Sequence, residues 1–242
     1  MRRAFGVVSA ALLVSAVPLA AQGFEGMVTY KMTSDGKNVE MKYYTKGTKV
    51  RQELDMGGKS AVMLMDASAA TQTVLMPEQK KYMTMNLKGM AEQMQKAMPQ
   101  TETHKPKSFK ITPTGKTETI AGHTCEHYLM GDEQNIDICA AKGMGMLMMG
   151  GGMGGGPGSA AGMARLKALS ASDPEMAEAM KAFKDGFMPL KMQDTGGKFL
   201  MEATAIEKRA LGDDMFVPPH GYEEIKIPAG MPGMPGMPGM PR

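Results

Sequence analysis

With 242 residues and a formal net charge of +3, the chain is long enough for one domain with sizeable loops, and it lacks the basic excess that nucleic acid or an anionic membrane surface demands. Aromatic residues make up 5%, Trp is absent, and Met and Gly number 30 each, so thioethers rather than rings must fill the interior.

The chain opens on Arg2 and Arg3, an uncharged apolar stretch over 4–17, and Pro18-Leu19-Ala20-Ala21. This three-zone pattern predicts a secretory signal over 1–21, cut near Ala21. The apolar run is shorter than the roughly 20 residues that cross a bilayer, and neither cysteine lies near the cut to carry a lipid anchor. The expected product is a soluble periplasmic or extracellular protein with no membrane-spanning segment. Loss of Arg2 and Arg3 lowers its formal charge by two.

From residue 22 to about 85, alternation broken by short turns predicts about six antiparallel strands. Met27-Val28-Thr29-Tyr30-Lys31-Met32 sets Val28, Tyr30 and Met32 on one face. Turns at Asp35-Gly36, Lys46-Gly47 and Gly57-Gly58 separate strands over 39–44, 49–56 and 61–65, and strands over 71–76 and 80–85 complete the meander. Leu87, Met90, Met94, Ala97 and Met98 then recur at helical spacing until Pro99. Strands follow around Phe109-Lys110-Ile111, Thr119-Ile120, 123–130 and 135–141, with Gly122 turning the chain.

Residues 143–171 begin with a Gly/Met-rich, low-complexity run that cannot build a core and is expected to be a flexible loop. Asp173-Pro174-Glu175 starts a helix with Pro at its first position, carrying Met176, Ala179, Met180 and Phe183 on its apolar face. Strands over 187–193 and 198–208 flank Gly196-Gly197 as a hairpin, and Phe216-Val217-Pro218-Pro219-His220-Gly221-Tyr222 closes the fold. The repeat after Pro228 is expected to be a disordered tail over 229–242. The expected architecture is α+β, mostly β: one domain in two parts, 22–142 and 172–228, forming a curved antiparallel sheet or incomplete β-barrel with helices covering its concave face.

Phe24-Glu25-Gly26-Met27-Val28-Thr29-Tyr30, the run Thr114-Gly115-Lys116-Thr117-Glu118-Thr119-Ile120-Ala121-Gly122-His123-Thr124-Cys125-Glu126-His127-Tyr128, Phe187-Met188-Pro189-Leu190-Lys191 with Ala203-Thr204-Ala205-Ile206-Glu207, and the closing Phe216 to Tyr222 segment occur in this order. Together they resemble the bacterial secreted family of domain of unknown function 4412. That family is similar in pattern to the lipoprotein-localisation carriers, whose half-open β-barrel holds acyl chains under helical lids. The resemblance implies that fold and a hydrophobic ligand, a lipid or acyl chain, and it brings no catalytic residues. Val28, Tyr30, Met32, Met63, Met83, Met90 and Met94 are the candidate cavity lining.

Cys125 and Cys139 are an even pair on neighbouring expected strands, and in an oxidising compartment they are expected to bridge. His123, Cys125 and His127 share one face of a strand and offer metal-ligand chemistry. They spread over roughly 13 Å at about 3.3 Å per residue, too wide for one ion on a straight strand, and a bridged Cys125 cannot also ligate. Met144, Met146, Met148, Met149 and Met153 form a thioether cluster suited to Cu(I) or Ag(I), the alternative to the lipid reading. Methionine is enriched along the whole chain, however, including Met32, Met63, Met83 and Met192 on strands, as expected if Met replaces Leu or lines an adaptable cavity. The exposed thioethers also offer an oxidant sink. With no G-x-S-x-G, no Walker-type phosphate loop and no Ser/His spacing of catalytic type, no enzyme activity and no cofactor are expected.

Overall fold

The computed structural model describes residues 23–89 (except 35, 56 and 59), 110–131, 135–147, 177 and 186–226. The expected signal over 1–21, the helical positions 90–98 and 173–183 apart from Ala177, most of the 143–171 segment and the 229–242 tail lie outside these residues. Residues 87–89, where the first covering helix is expected to begin, are helical.

Strands β1 (Gly26–Ser34), β2 (Lys37–Lys46), β3 (Lys49–Asp55), β4 (Ser60–Asp66), β5 (Thr71–Met76) and β6 (Lys81–Asn86) form the expected meander. β7 (Lys110–Ile120), β8 (His123–Gly131) and β9 (Ile136–Ala141) follow, then β10 (Gly145–Met146), β11 (Gly186–Asp194), β12 (Phe199–Lys208) and β13 (Glu223–Glu224). They make one sheet in the order β13-β6-β5-β4-β3-β2-β1-β12-β11-β9-β8-β7, with β10 beside β11. Its long ladders are antiparallel, and β7 and β13 stand at opposite edges, so among the described residues the sheet is unclosed. The first and last thirds of the chain meet where β1 pairs with β12, from Gly26↔Lys208 to Ser34↔Phe199.

Gly26 is required at that seam. A Cβ there would run into the carbonyl oxygen of Glu207 and come within 2.9 Å of the Phe24 ring. A second close approach seats β10, where a Cβ on Gly186 would lie 2.7 Å from the Gly145 carbonyl oxygen. Two side-chain-free residues therefore permit the parallel pairing Gly145↔Gly186. As a result, the start of the segment expected as a flexible loop is built into the fold, with Met144 and Leu147 buried in the main core.

Cross-strand partners share a face, and one row runs Ile206, Val28, Tyr43, Gln52, Met63, Val74, Met83 across β12 and β1–β6. Val28, Tyr30 and Tyr43 have no exposed surface and pack with Met41, Val50, Met188, Leu190 and Met201. The Tyr30 hydroxyl donates to the Pro189 carbonyl at 2.9 Å. Burial, with the Tyr43 hydroxyl nearby, pushes its pKa well above the usual phenol value, so it serves as a neutral donor.

The other face of β1–β6 is covered by the C-terminal segment. Leu211 and Phe216 pack on Met27 and Tyr44, while Tyr222 packs against Val62, Leu64 and Leu75. Polar clamps hold it there: Lys46 Nζ donates to the Leu211 carbonyl at 2.7 Å, Arg51 Nη1 to the Met215 carbonyl at 3.0 Å, and the Leu211 amide to Glu25 at 2.7 Å. The closing motif read in the sequence is thus a strap across the sheet, ending where β13 pairs with β6.

Candidate functional site

Two places on the sheet carry chemistry that packing alone does not use. The first is the methionine-bearing face. Burial falls along the row that starts at Val28: Gln52 is 2% exposed, whereas Met63, Val74 and Met83 are half-buried. Met85, in register with Gln72, is half-buried beside them. Gln72 Nε2 lies 3.3 Å from the Met63 sulfur, which orients that thioether. The apolar surface therefore starts as closed core at β1 and opens toward β6.

Of the residues expected to line a cavity, Val28 and Tyr30 lie in the closed core, Met32 is partly buried against it, and Met63 and Met83 lie on the half-exposed stretch of the same face. Met90 and Met94 lie outside the described residues. A polar cleft of about 460 Å³ lies elsewhere, beside Glu40, Lys42, Glu53 and Asp55, and its charges suit water rather than an apolar ligand. Of the thioether cluster, Met144 is 5% exposed and packed in the core. Met146 contributes its backbone to β10, and Met148, Met149 and Met153 lie outside the described residues.

The second place surrounds the cystine. Cys125 and Cys139 are bridged, with Cα atoms 5.3 Å apart, and both are buried. The Ala121-Gly122 turn, with both residues at positive φ, sets the β7–β8 register, which puts Glu118 opposite Cys125. The β8–β9 register puts His127 opposite Cys139. Ligand atoms of Glu118, His127 and Cys139 consequently lie within 4.8 Å of one another. His127 is 12% exposed, its Nδ1 2.8 Å from Asp137 Oδ1 and its Nε2 3.1 Å from Glu118 Oε2. Lys191 Nζ sits 3.2 Å from Glu118 Oε1 and 3.8 Å from Glu202.

His123 is not in this group: the cluster is assembled across strands rather than along one. Glu118 and Asp137 carried no signal in the sequence because their closeness to His127 is a matter of register. On a neighbouring patch, Lys142 and Tyr128 donate to Glu126 and hold its carboxyl below the usual range. Burial, reinforced by Glu126, pushes the Tyr128 hydroxyl up to about 12.

These features define a large, unclosed antiparallel β-sheet protein stapled by one cystine. No helix among the described residues is long and apolar enough to cross a membrane. The chain belongs to the family described as a domain of unknown function (DUF4412), whose model matches residues 24–222. It is similar to the crystal structure of an uncharacterized conserved protein from Thermus thermophilus, with a TM-score of 0.46 at 7% identity over 85% of this chain and 91% of that one. No curated protein matches the chain.

Proposed function

We propose that this protein works outside the cytoplasm, in the periplasm or beyond the cell, and binds a hydrophobic ligand, a lipid or acyl chain, on its methionine-bearing face. The observation that carries this reading is the half-buried stretch of Met63, Val74, Met83 and Met85, continuous with the core row yet left partly open. Flexible, polarizable thioethers mould to chains of different shape, which suits a carrier of variable acyl groups. The cystine is consistent with an oxidising compartment. The alternative of a Cu(I) or Ag(I) buffer draws no support from Met144, whose side chain is packed in the core.

The test is a titration of the delipidated full chain with a fluorescent fatty-acid probe. Burying a Met side chain contributes about 1.5–3 kcal/mol, so Met63→Glu and Met83→Glu should each weaken binding by about 10-fold or more. Circular dichroism should show both variants folded. Absence of saturable probe binding, or binding untouched by both substitutions, would refute the proposal.

A further inference from the structure

The cystine occupies a set of donors that would otherwise suit a metal ion. Glu118, His127 and Cys139 already converge within 4.8 Å, and Cys125 is bonded to Cys139. Two cross-strand pairs, Glu118↔Cys125 and His127↔Cys139, therefore bring one carboxylate and one imidazole to the Cys139 sulfur, with the Cys125 sulfur bonded to it. Asp137 sits 2.8 Å from His127 Nδ1, the carboxylate–histidine arrangement that fixes a ligating ring and points Nε2 at the cation. Nε2 faces Glu118 Oε2 at 3.1 Å, so the same ring nitrogen and carboxylate are already within reach of one small group.

We propose that opening the Cys125–Cys139 bridge converts this cluster into a tetrahedral site for a divalent cation of the zinc class, held by both thiolates, His127 Nε2 and the Glu118 carboxylate. A reductant of the dithiol class supplies the two electrons. Its sulfurs join in a new disulfide as the Sγ–Sγ bond breaks, and its two protons pass to Cys125 and Cys139. Those protons leave as the cation binds. Two thiolates and one carboxylate around a divalent cation leave one negative charge, which the ammonium of Lys191, 3.2 Å from Glu118, offsets. Zinc accepts this mixed sulfur, nitrogen and oxygen set in four-coordinate geometry. Both sulfurs are buried in the main core, Cys125 on β8 and Cys139 on β9, so access requires the core to open locally. The thiol form is also the one in which every chain is made, so the same donors exist before the bridge first closes. Oxidation then empties the site.

The experiment titrates the full chain with Co²⁺, a spectroscopic stand-in for Zn²⁺, in the bridged form and after phosphine reduction and desalting without oxygen. The reduced chain should take up one Co²⁺ with thiolate-to-metal charge transfer and the intense visible bands of a tetrahedral centre, and the bridged chain none. His127→Gln and Glu118→Gln should each weaken uptake at least about 10-fold, and Asp137→Asn by about 10-fold through the ring it orients. Zn²⁺ should raise the Tm of the reduced chain and leave that of the bridged chain unchanged. If reduction alone unfolds the protein, Zn²⁺ should restore its β-sheet circular dichroism. Failure to restore it, equal uptake by the bridged form, or Co²⁺ binding indifferent to both His127→Gln and Glu118→Gln would overturn the assignment.

Discussion

Opening the Cys125–Cys139 bridge in a chelator, so that no cation replaces it, should cost a calculable share of stability. The cysteines are 14 residues apart in sequence, and closing a loop of about 15 residues removes denatured-state entropy worth about 3 kcal/mol. Reduction changes no side-chain volume beyond two hydrogens, so the reduced wild type isolates this contribution. The double variant Cys125→Ala/Cys139→Ala also empties two sulfur positions with 1% and 0% exposure, which adds about 1 kcal/mol or more as unfilled volume. For a domain of this size each kcal/mol moves Tm by about 2–4 °C. Reduction should therefore lower Tm by about 6–12 °C, and the double variant further. Urea unfolding followed by far-UV circular dichroism should show a lower midpoint and a steeper slope, because the uncrosslinked denatured chain exposes more surface. A reduced wild type within about 1 kcal/mol of the bridged protein, less than a tenfold change in the unfolding equilibrium, would refute the loop-closure reasoning.

Gly26→Ala should destabilise by about 1–3 kcal/mol through overpacking at the β1–β12 seam, because the new methyl meets the Glu207 carbonyl; an unchanged Tm would contradict this. Asp66 accepts bonds from the Ser68 hydroxyl and from the Ser68 and Ala69 amides, which hold its carboxyl below the usual range. A carboxylate with a lowered folded pKa stabilises the fold above its unfolded value of about 4 and loses that contribution as pH falls through the folded value. Asp66→Asn should therefore narrow the gap between stability at neutral pH and at about pH 2, and urea midpoints across that range that parallel the wild type would count against it.

The strands were legible where one face is apolar and the other polar. Alternation alone placed β1 to β6 within a residue or two, and the glycines at 196 and 197 marked the β11–β12 hairpin. Two short strands left no such trace. Glu223 and Glu224 are both exposed and enter the sheet by backbone pairing to Lys81 and Tyr82. Gly145 and Met146 sit in a stretch whose composition reads as linker, and only the approach of Gly186 makes them a strand. For the candidate sites, periodicity set Val28, Tyr30 and Met32 on one face of β1, whereas the place of Met63 and Met83 in the row that starts at Val28 comes from the cross-strand registers. Periodicity failed for His127, whose partners are set by the β7–β8 and β8–β9 registers rather than by spacing along its own strand. Spacing along the strand pointed to His123 instead, and cross-strand geometry replaced it with Glu118, Asp137 and Cys139.

The pairing of β1 with β12 also bears on the order in which the molecule assembles. β1 to β6 pair with sequence neighbours, so their contacts are local and close quickly, whereas β1 waits for a partner about 170 residues later. During synthesis from the N-terminus the meander can form first, with one side of Gly26–Ser34 unpaired. That open edge carries Met27, Val28, Tyr30 and Met32, the kind of strand that templates addition of another chain. A polypeptide stopped before Phe199 should therefore self-associate through β1 rather than settle as a smaller stable sheet.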